Sequence, residues 1–357
     1  MSRLVLVISD LYPVRHSAVH LPRLACLERW LARGHTVRLT AGWQQWVLGE
    51  FFEGRYATTP WATLAAAALT PVVTGHSWLA TPVHMVVGID TLRVHPAGLL
   101  TLDASEQQTL AADFAKVFHA SGWSLHATGH RDMLIASDKV LCARSFDPAR
   151  WLGADPAQGV IIGTDAGALR RLASELEMWL HEHPVNRARR ERGRLTISGL
   201  WLWGGGALGA PAAAPAAHIA HLAPGATPAF TGVSGSTVQV FGPDLFLGGL
   251  CRITGVTSQA LPLTWPPEHP GTHGDTLVHC ALGAAPDNES LQSLERDIIA
   301  PLTRQLYRGG ADSLTLLVGE RAVTLRRPGW RMWKALARPR PWWESLLAEW
   351  VEKGTGS

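Results

Sequence analysis

Apolar and polar positions alternate between two periods along this chain. Leu4 to Ile8 is an unbroken apolar run closed by Ser9-Asp10, the pattern of a central parallel strand delivering an acid to the carboxyl edge of a sheet. Leu24, Leu27 and Leu31 then share one face of a helix spanning Leu21 to Arg33, stopped by Gly34, and the following HTVRLTA reads as a second strand. From Trp43 to Leu79 the chain is apolar and helical in character, with turn signals at Gly54 and Pro60. Thr81 to Ala136 changes to strand-like alternation, turns at Pro96-Ala97-Gly98, and enters a helix at Asp103 to Ser105 with Glu106 at an N3 position. That pattern predicts a β-hairpin, a helix and further strands.

The stretch from Ala166 to Gly206 is the densest in signals. Leu169, Leu172, Leu176, Trp179 and Leu180 recur at helical spacing, and Pro184 after His183 interrupts or restarts the helix. Arginines crowd in at 187, 189, 190, 192 and 194 with Glu191 as the only acid, before an uncharged run from Leu195 to Trp203 ends in Gly204, Gly205 and Gly206. Glycines at a strand end let backbone N–H groups approach an oxyanion, and guanidinium groups grip one bidentately. An anion site is one reading of this layout; ordinary core with a solvated arginine face is the other. Further on, Ala207 to Ala217 is a low-complexity Ala/Pro loop, STVQVFGPDLFLGGLCRITGV a strand leading into a Gly-containing helix, Asp275 to His279 a strand, and Leu291 to Leu306 a helix with Leu291, Leu294, Ile298 and Leu302 in register.

The segment HPVNRARRERG followed by LWLWGGG resembles the HPxNxxRxxxG…WxWGxG signature of the archaeal-type, cofactor-independent phosphoglycerate mutases. It resembles more closely the RpfE-type regulatory proteins of bacteria, as does TPVH…GxD in the 81–136 region. The resemblance implies the alkaline phosphatase superfamily: a three-layer α/β fold with a mostly parallel sheet and a small inserted α+β domain. On that expectation 1–80 is the first part of the core, 81–150 the insertion, and 151–357 the rest of the core with a basic tail. It also implies substrate or anion binding by Asn186, Arg187, Arg190 and the Gly204, Gly205, Gly206 loop, and metal ligation by Asp10, His279 and Asp287. Read from the residues alone, Asp10 is equally a loop or helix-capping acid.

The chain departs from the mutases in several places. Thr58 and Thr59 before Pro60-Trp61 lack the neighbourhood of the superfamily nucleophile, Thr196-Ile197-Ser198 replaces a Pro-Ala-Asn, and no DxxxH run follows Val278-His279. A two-metal centre needs about six carboxylate and imidazole ligands, so three scattered ones imply a degenerate centre. The expected function is therefore a regulatory protein that binds an anionic or phosphorylated metabolite. The alternative is an active mutase or related phosphotransferase using a divalent metal, manganese or zinc.

Composition narrows the partners. With 357 residues and 46% hydrophobic content the chain can fill a sizeable core, and 17% charged residues at a net +3 do not by themselves imply nucleic acid. Cys26, Cys142, Cys251 and Cys280 show no paired spacing, the run after Arg3 is too short for a signal peptide, and the uncharged segments Tyr56–Trp78 and Leu195–His218 are broken by proline or glycine. A cytoplasmic protein without a membrane span is expected. His84, His95, His126 and His130 each read as structural or surface residues before they read as ligands, and Arg131-Asp132 as a substrate-facing or interdomain ion pair or, equally economically, a surface pair. Beyond Arg321 the tail interleaves basic residues with Trp330, Trp333, Trp342, Trp343 and Trp350. Packing of these tryptophans on the core is favoured over a nucleic-acid or partner surface.

Overall fold

The computed structural model describes residues 2–11, 21–54, 56–87, 92–152, 161–206, 237–266, 274–282, 286–327 and 339–346. It is a mixed α/β structure with one largely parallel sheet and one antiparallel sheet. The chain divides into two compact units, Met1–Ala57 with Ala229–Pro243 and Val256–Ser357, and Thr58–Pro228 with Asp244–Gly255.

In the first unit β1 (Arg3–Ile8) runs parallel to β10 (Gly274–Cys280) on one side and to β11 (Ser313–Val318) on the other. Five of its six residues are buried, which is why the strand reads as an unbroken apolar run rather than an alternating one. The sheet continues from β10 through β8 (Thr237–Phe241) to β9 (Thr257–Gln259), all parallel. Beyond β11 it ends in two antiparallel strands, β12 (Arg321–Arg326) and β2 (His35–Arg38). The second strand expected from HTVRLTA therefore exists, but as an exposed edge.

Helix α1 (Ala25–Arg33) buries Leu27 and Trp30, and the predicted 291–306 helix is α8 (Asn288–Leu294), one π turn (Glu295–Ile299) and α9 (Ala300–Tyr307) in succession. Leu291, Leu294, Ile298 and Leu302 all enter the core as their spacing required. Trp342 is buried in the same core, its indole N–H donating to the Pro22 carbonyl at 3.0 Å, while Arg321 donates to the Ser345 carbonyl. Among the described residues the tail thus packs as a strand and a tryptophan-bearing helix; residues 328–338 and 347–357 lie outside them.

The second unit holds β3 (His76–Val87), paired antiparallel with β4 (Leu92–Leu99), β6 (Met133–Ser137) and β7 (Gly199–Trp203), with β5 (Trp123–His126) beyond β6. Two expectations change here. Pro96-Ala97-Gly98 is not the hairpin turn but part of β4, opposite a register irregularity between Val83 and Met85. An outer strand beside a bulge tolerates the missing proline N–H, and Gly98 lets the His84 carbonyl come close. The unit is also wider than 81–150, because β7 finds its hydrogen-bond partner in β3 and so brings 166–206 with it.

Helix α4 (Ala104–Val117) opens with the expected capping box: Asp103 accepts from the Glu106 N–H at 2.9 Å and Glu106 accepts from the Asp103 N–H at 3.0 Å. Helix α5 (Ala166–His181) buries Leu169, Leu172, Leu176 and Leu180, and a restart at Pro184 gives α6 (Pro184–Glu191). Arg189 of α6 donates to both Glu106 carboxylate oxygens at 2.9 and 2.8 Å and to the Leu195 carbonyl at 2.7 Å, with both charged side chains buried. Removing one partner leaves the other charge uncompensated. Arg189→Ala is expected to lower stability by about 3–5 kcal/mol, measured as a drop in the urea midpoint; an unchanged midpoint would show that Glu106 finds water.

Candidate functional site

The carboxyl ends of β1, β10 and β8 lie side by side in the parallel sheet, the edge where open α/β sheets place their chemistry. Val7 is level with His279 and the Ser9 N–H still donates to the Cys280 carbonyl, so Ser9 is carried past the end of β1 alongside β10. His279 is buried at 4% exposure and both ring nitrogens are engaged. Nδ1 lies 2.9 Å from the Gly242 carbonyl oxygen and Nε2 lies 3.1 Å from Ser9 Oγ. A carbonyl only accepts, so Nδ1 carries the proton and Nε2 accepts from the serine hydroxyl. The indole of Trp43, on α2 (Gly42–Phe52), packs with its ring centre 5.7 Å from that of the imidazole. Gly242 takes φ of 66°, and a side chain there would crowd the His279 carbonyl. Burial pushes the neighbouring Cys280 thiol up to about 12, so it stays protonated.

The expected metal ligands do not form a set. Asp10 is buried at the end of β1 and His279 has its nitrogens on Gly242 and Ser9. Asp287 is the N-cap of α8, and the Ser290 hydroxyl together with the Ser290 N–H, which donates to it at 2.7 Å, holds its carboxyl below the usual range. Among the described residues no three His, Cys, Asp or Glu side chains gather as a metal site. A divalent ion therefore has no fitting cluster of donors there.

The expected anion residues are likewise separated. Asn186 spends its whole side chain on backbone, donating to the Leu180 and Ile197 carbonyls at 2.7 and 2.8 Å and accepting from the Ile197 N–H at 2.7 Å. Gly204, Gly205 and Gly206 follow the far end of β7, whose five residues at about 3.3 Å each place them roughly 16 Å beyond its start. A Cβ on Gly205 would overlap the Ser77 carbonyl, and one on Gly206 the Ala143 carbonyl. The glycines are thus set against neighbouring backbone. Only Arg187 and Arg190 remain exposed.

The histidines and the Arg131-Asp132 pair take structural places. His84 Nδ1 donates to the Thr196 carbonyl at 2.8 Å and its ring meets His95 edge-on, while His126 pairs with Ser124. Asp132 accepts from Thr81 Oγ1 at 2.6 Å, which accepts from the Trp203 indole at 2.8 Å, and Arg131 lies 3.4 Å from Asp132. The expected strand-end acid, Asp10, drew attention in the sequence. Its neighbour Ser9 did not, because its chemistry depends on a histidine 270 residues away.

No protein-family model matches the chain, and no curated protein matches it. Among solved structures, a cofactor-independent phosphoglycerate mutase from Thermoplasma acidophilum is 14% identical over 100% of both chains, with a TM-score of 0.35. The PH0037 protein from Pyrococcus horikoshii is 11% identical over 97% of this chain and 92% of its own, with a TM-score of 0.42. No helix among the described residues is long and apolar enough to cross a membrane.

Two outcomes follow from the placement of the HPVN segment and the glycines. His183 caps α6 by accepting from the Val185 N–H at 3.2 Å, and burial pushes its imidazole below the ordinary value, with Asp113 opposing. The unfolded chain then binds a proton that the folded one resists, so this contribution to stability is lost as pH falls below about 6.5. His183→Asn keeps a capping oxygen and is expected to flatten the decline in stability between pH 7.5 and 5 in urea titrations. Gly205→Ala is expected to prevent native folding or cost more than about 3 kcal/mol by displacing the Ser77 backbone; a variant of wild-type stability would show that this turn has room.

Proposed function

We propose that the protein binds an anionic or phosphorylated metabolite through the exposed face of α6, as a phosphoglycerate-mutase-like regulatory protein of the kind the RpfE resemblance implies. The observation that carries this reading is a pair of uncommitted cations. Arg187 and Arg190 stand three residues apart on one helix, both exposed, and neither pairs with a carboxylate among the described residues. Two of the other arginines in this run are engaged: Arg189 is held by Glu106 and Arg194 lies 3.9 Å from Asp103, while Arg192 is exposed like the pair. Residues three apart on a helix share a face, and two guanidinium forks there suit a phosphate or carboxylate. The engagement of His279 and Asp287 in separate hydrogen bonds supports binding over metal-dependent phosphoryl transfer.

Titration with 2- and 3-phosphoglycerate tests the reading. A hydrogen bond to a charged group contributes about 1.5–3 kcal/mol, so the double variant Arg187→Ala/Arg190→Ala should bind at least about tenfold more weakly than wild type. Superimposable isotherms would remove α6 as the site. Interconversion of the two phosphoglycerates at enzyme-like rates by manganese- or zinc-loaded protein would replace the regulatory reading with the active mutase.

A further inference from the structure

We infer that Ser9 is a nucleophile activated by His279 and oriented through the Gly242 carbonyl, and that this edge of the sheet carries out acyl transfer on a small ester. The inference is independent of the α6 reading, since it uses other residues and another substrate class.

Its basis is a relay of three groups at the carboxyl ends of three strands, Ser9 just past β1, His279 in β10 and Gly242 just past β8. Ser9 Oγ, His279 Nε2, His279 Nδ1 and the Gly242 oxygen stand in series at 3.1 and 2.9 Å. A serine becomes nucleophilic when a neutral imidazole accepts its proton and a third group fixes the imidazole tautomer. The Gly242 carbonyl supplies that third group, and φ of 66° at Gly242 is the backbone conformation in which it does so. Burial of His279 and the face of Trp43 hold the ring in one orientation, while Ser9 itself is only half-buried and can meet a substrate.

The balance of the step is simple. Ser9 Oγ forms a bond to the ester carbonyl carbon as its proton passes to His279 Nε2. The carbon–alkoxy bond breaks, and the leaving oxygen takes that proton, giving an acyl-serine and a free alcohol. Water then attacks the acyl carbon, passes a proton to Nε2, and Ser9 leaves and recovers it, releasing the carboxylic acid. The substrate class follows from charge. The tetrahedral intermediate of acyl transfer carries one negative charge, whereas a transferring phosphoryl group carries several and needs cations around it. Among the described residues the side chain that meets the Ser9 hydroxyl is the His279 imidazole, a one-proton carrier of the kind acyl transfer uses.

Full-length protein is treated with phenylmethylsulfonyl fluoride, which transfers its sulfonyl group to an activated serine with loss of fluoride. Intact mass, peptide mapping and p-nitrophenyl acetate hydrolysis are followed together. The expected result is one adduct, on Ser9, forming far faster than on any other serine of the same molecule. It should be absent in Ser9→Ala and slowed by about 100-fold or more in His279→Gln, the scale of a lost general base, with p-nitrophenyl acetate turnover falling in parallel. Ser9 of the wild-type protein labelling no faster than its other serines overturns the proposal without recourse to any variant. So does a folded His279→Gln protein that labels at the wild-type rate. Neither result touches phosphoglycerate binding by α6, so the two readings stand or fall separately.

Discussion

The backbone of β1 has no access to water, and the first unit is arranged around satisfying it. A buried strand must pair every N–H and C=O on both sides, and β10 and β11 supply those partners in register from Leu4 to Ile8. Sequence positions 274–280 and 313–318 are thereby drawn against the first residues of the chain. The amino end of the arrangement is fixed by Arg3, which donates to Asp275 through its backbone at 2.9 Å and through its guanidinium at 2.7 and 3.0 Å. Asp275 is fully buried, so this contact is stronger evidence of a fixed register than an exposed ion pair would be. At the carboxyl end the same register sets Ser9 beside His279. The candidate chemistry is a consequence of strand pairing rather than of a local motif.

The second unit solves its own problem with polar groups. Helix α6 is short and strongly basic, and it is held by side chains that reach backbone and charge at once. His183 caps it, Pro184 begins it with a preset φ, Asn186 satisfies three backbone groups, and Arg189 neutralises Glu106 in a buried setting. Three hydrogen bonds from Asn186 at about 1 kcal/mol each, together with the buried pair, outweigh the weak helix propensity of an eight-residue segment. The HPVN residues that look like a ligand grip are therefore mostly consumed in holding β7 and α5 together. The signature's own arginine, Arg189, is taken by Glu106, and what is left for a ligand is the water-facing pair at its variable positions, Arg187 and Arg190.

Local patterns were legible in the sequence because each records a short-range physical requirement. The apolar run of β1 recorded burial on both faces, Asp103 and Glu106 recorded a capping box, and Leu291, Leu294, Ile298 and Leu302 recorded a helix face against a sheet. The mixed α/β fold with a largely parallel sheet was what the family resemblance implied, and these local patterns are consistent with it. Partnership was not legible. Nothing in the period of Leu195 to Trp203 states that its strand pairs with β3, and nothing in Pro96-Ala97-Gly98 states that a bulge will absorb it into β4. The same limit applies to the sites: a run of arginines is visible in one dimension, but only packing shows that Arg189 is neutralised and Arg187 is not. Ser9 and His279 have no shared signal at all, because a hydrogen bond across 270 residues is set by which strands share a ladder, and that choice belongs to the whole sheet.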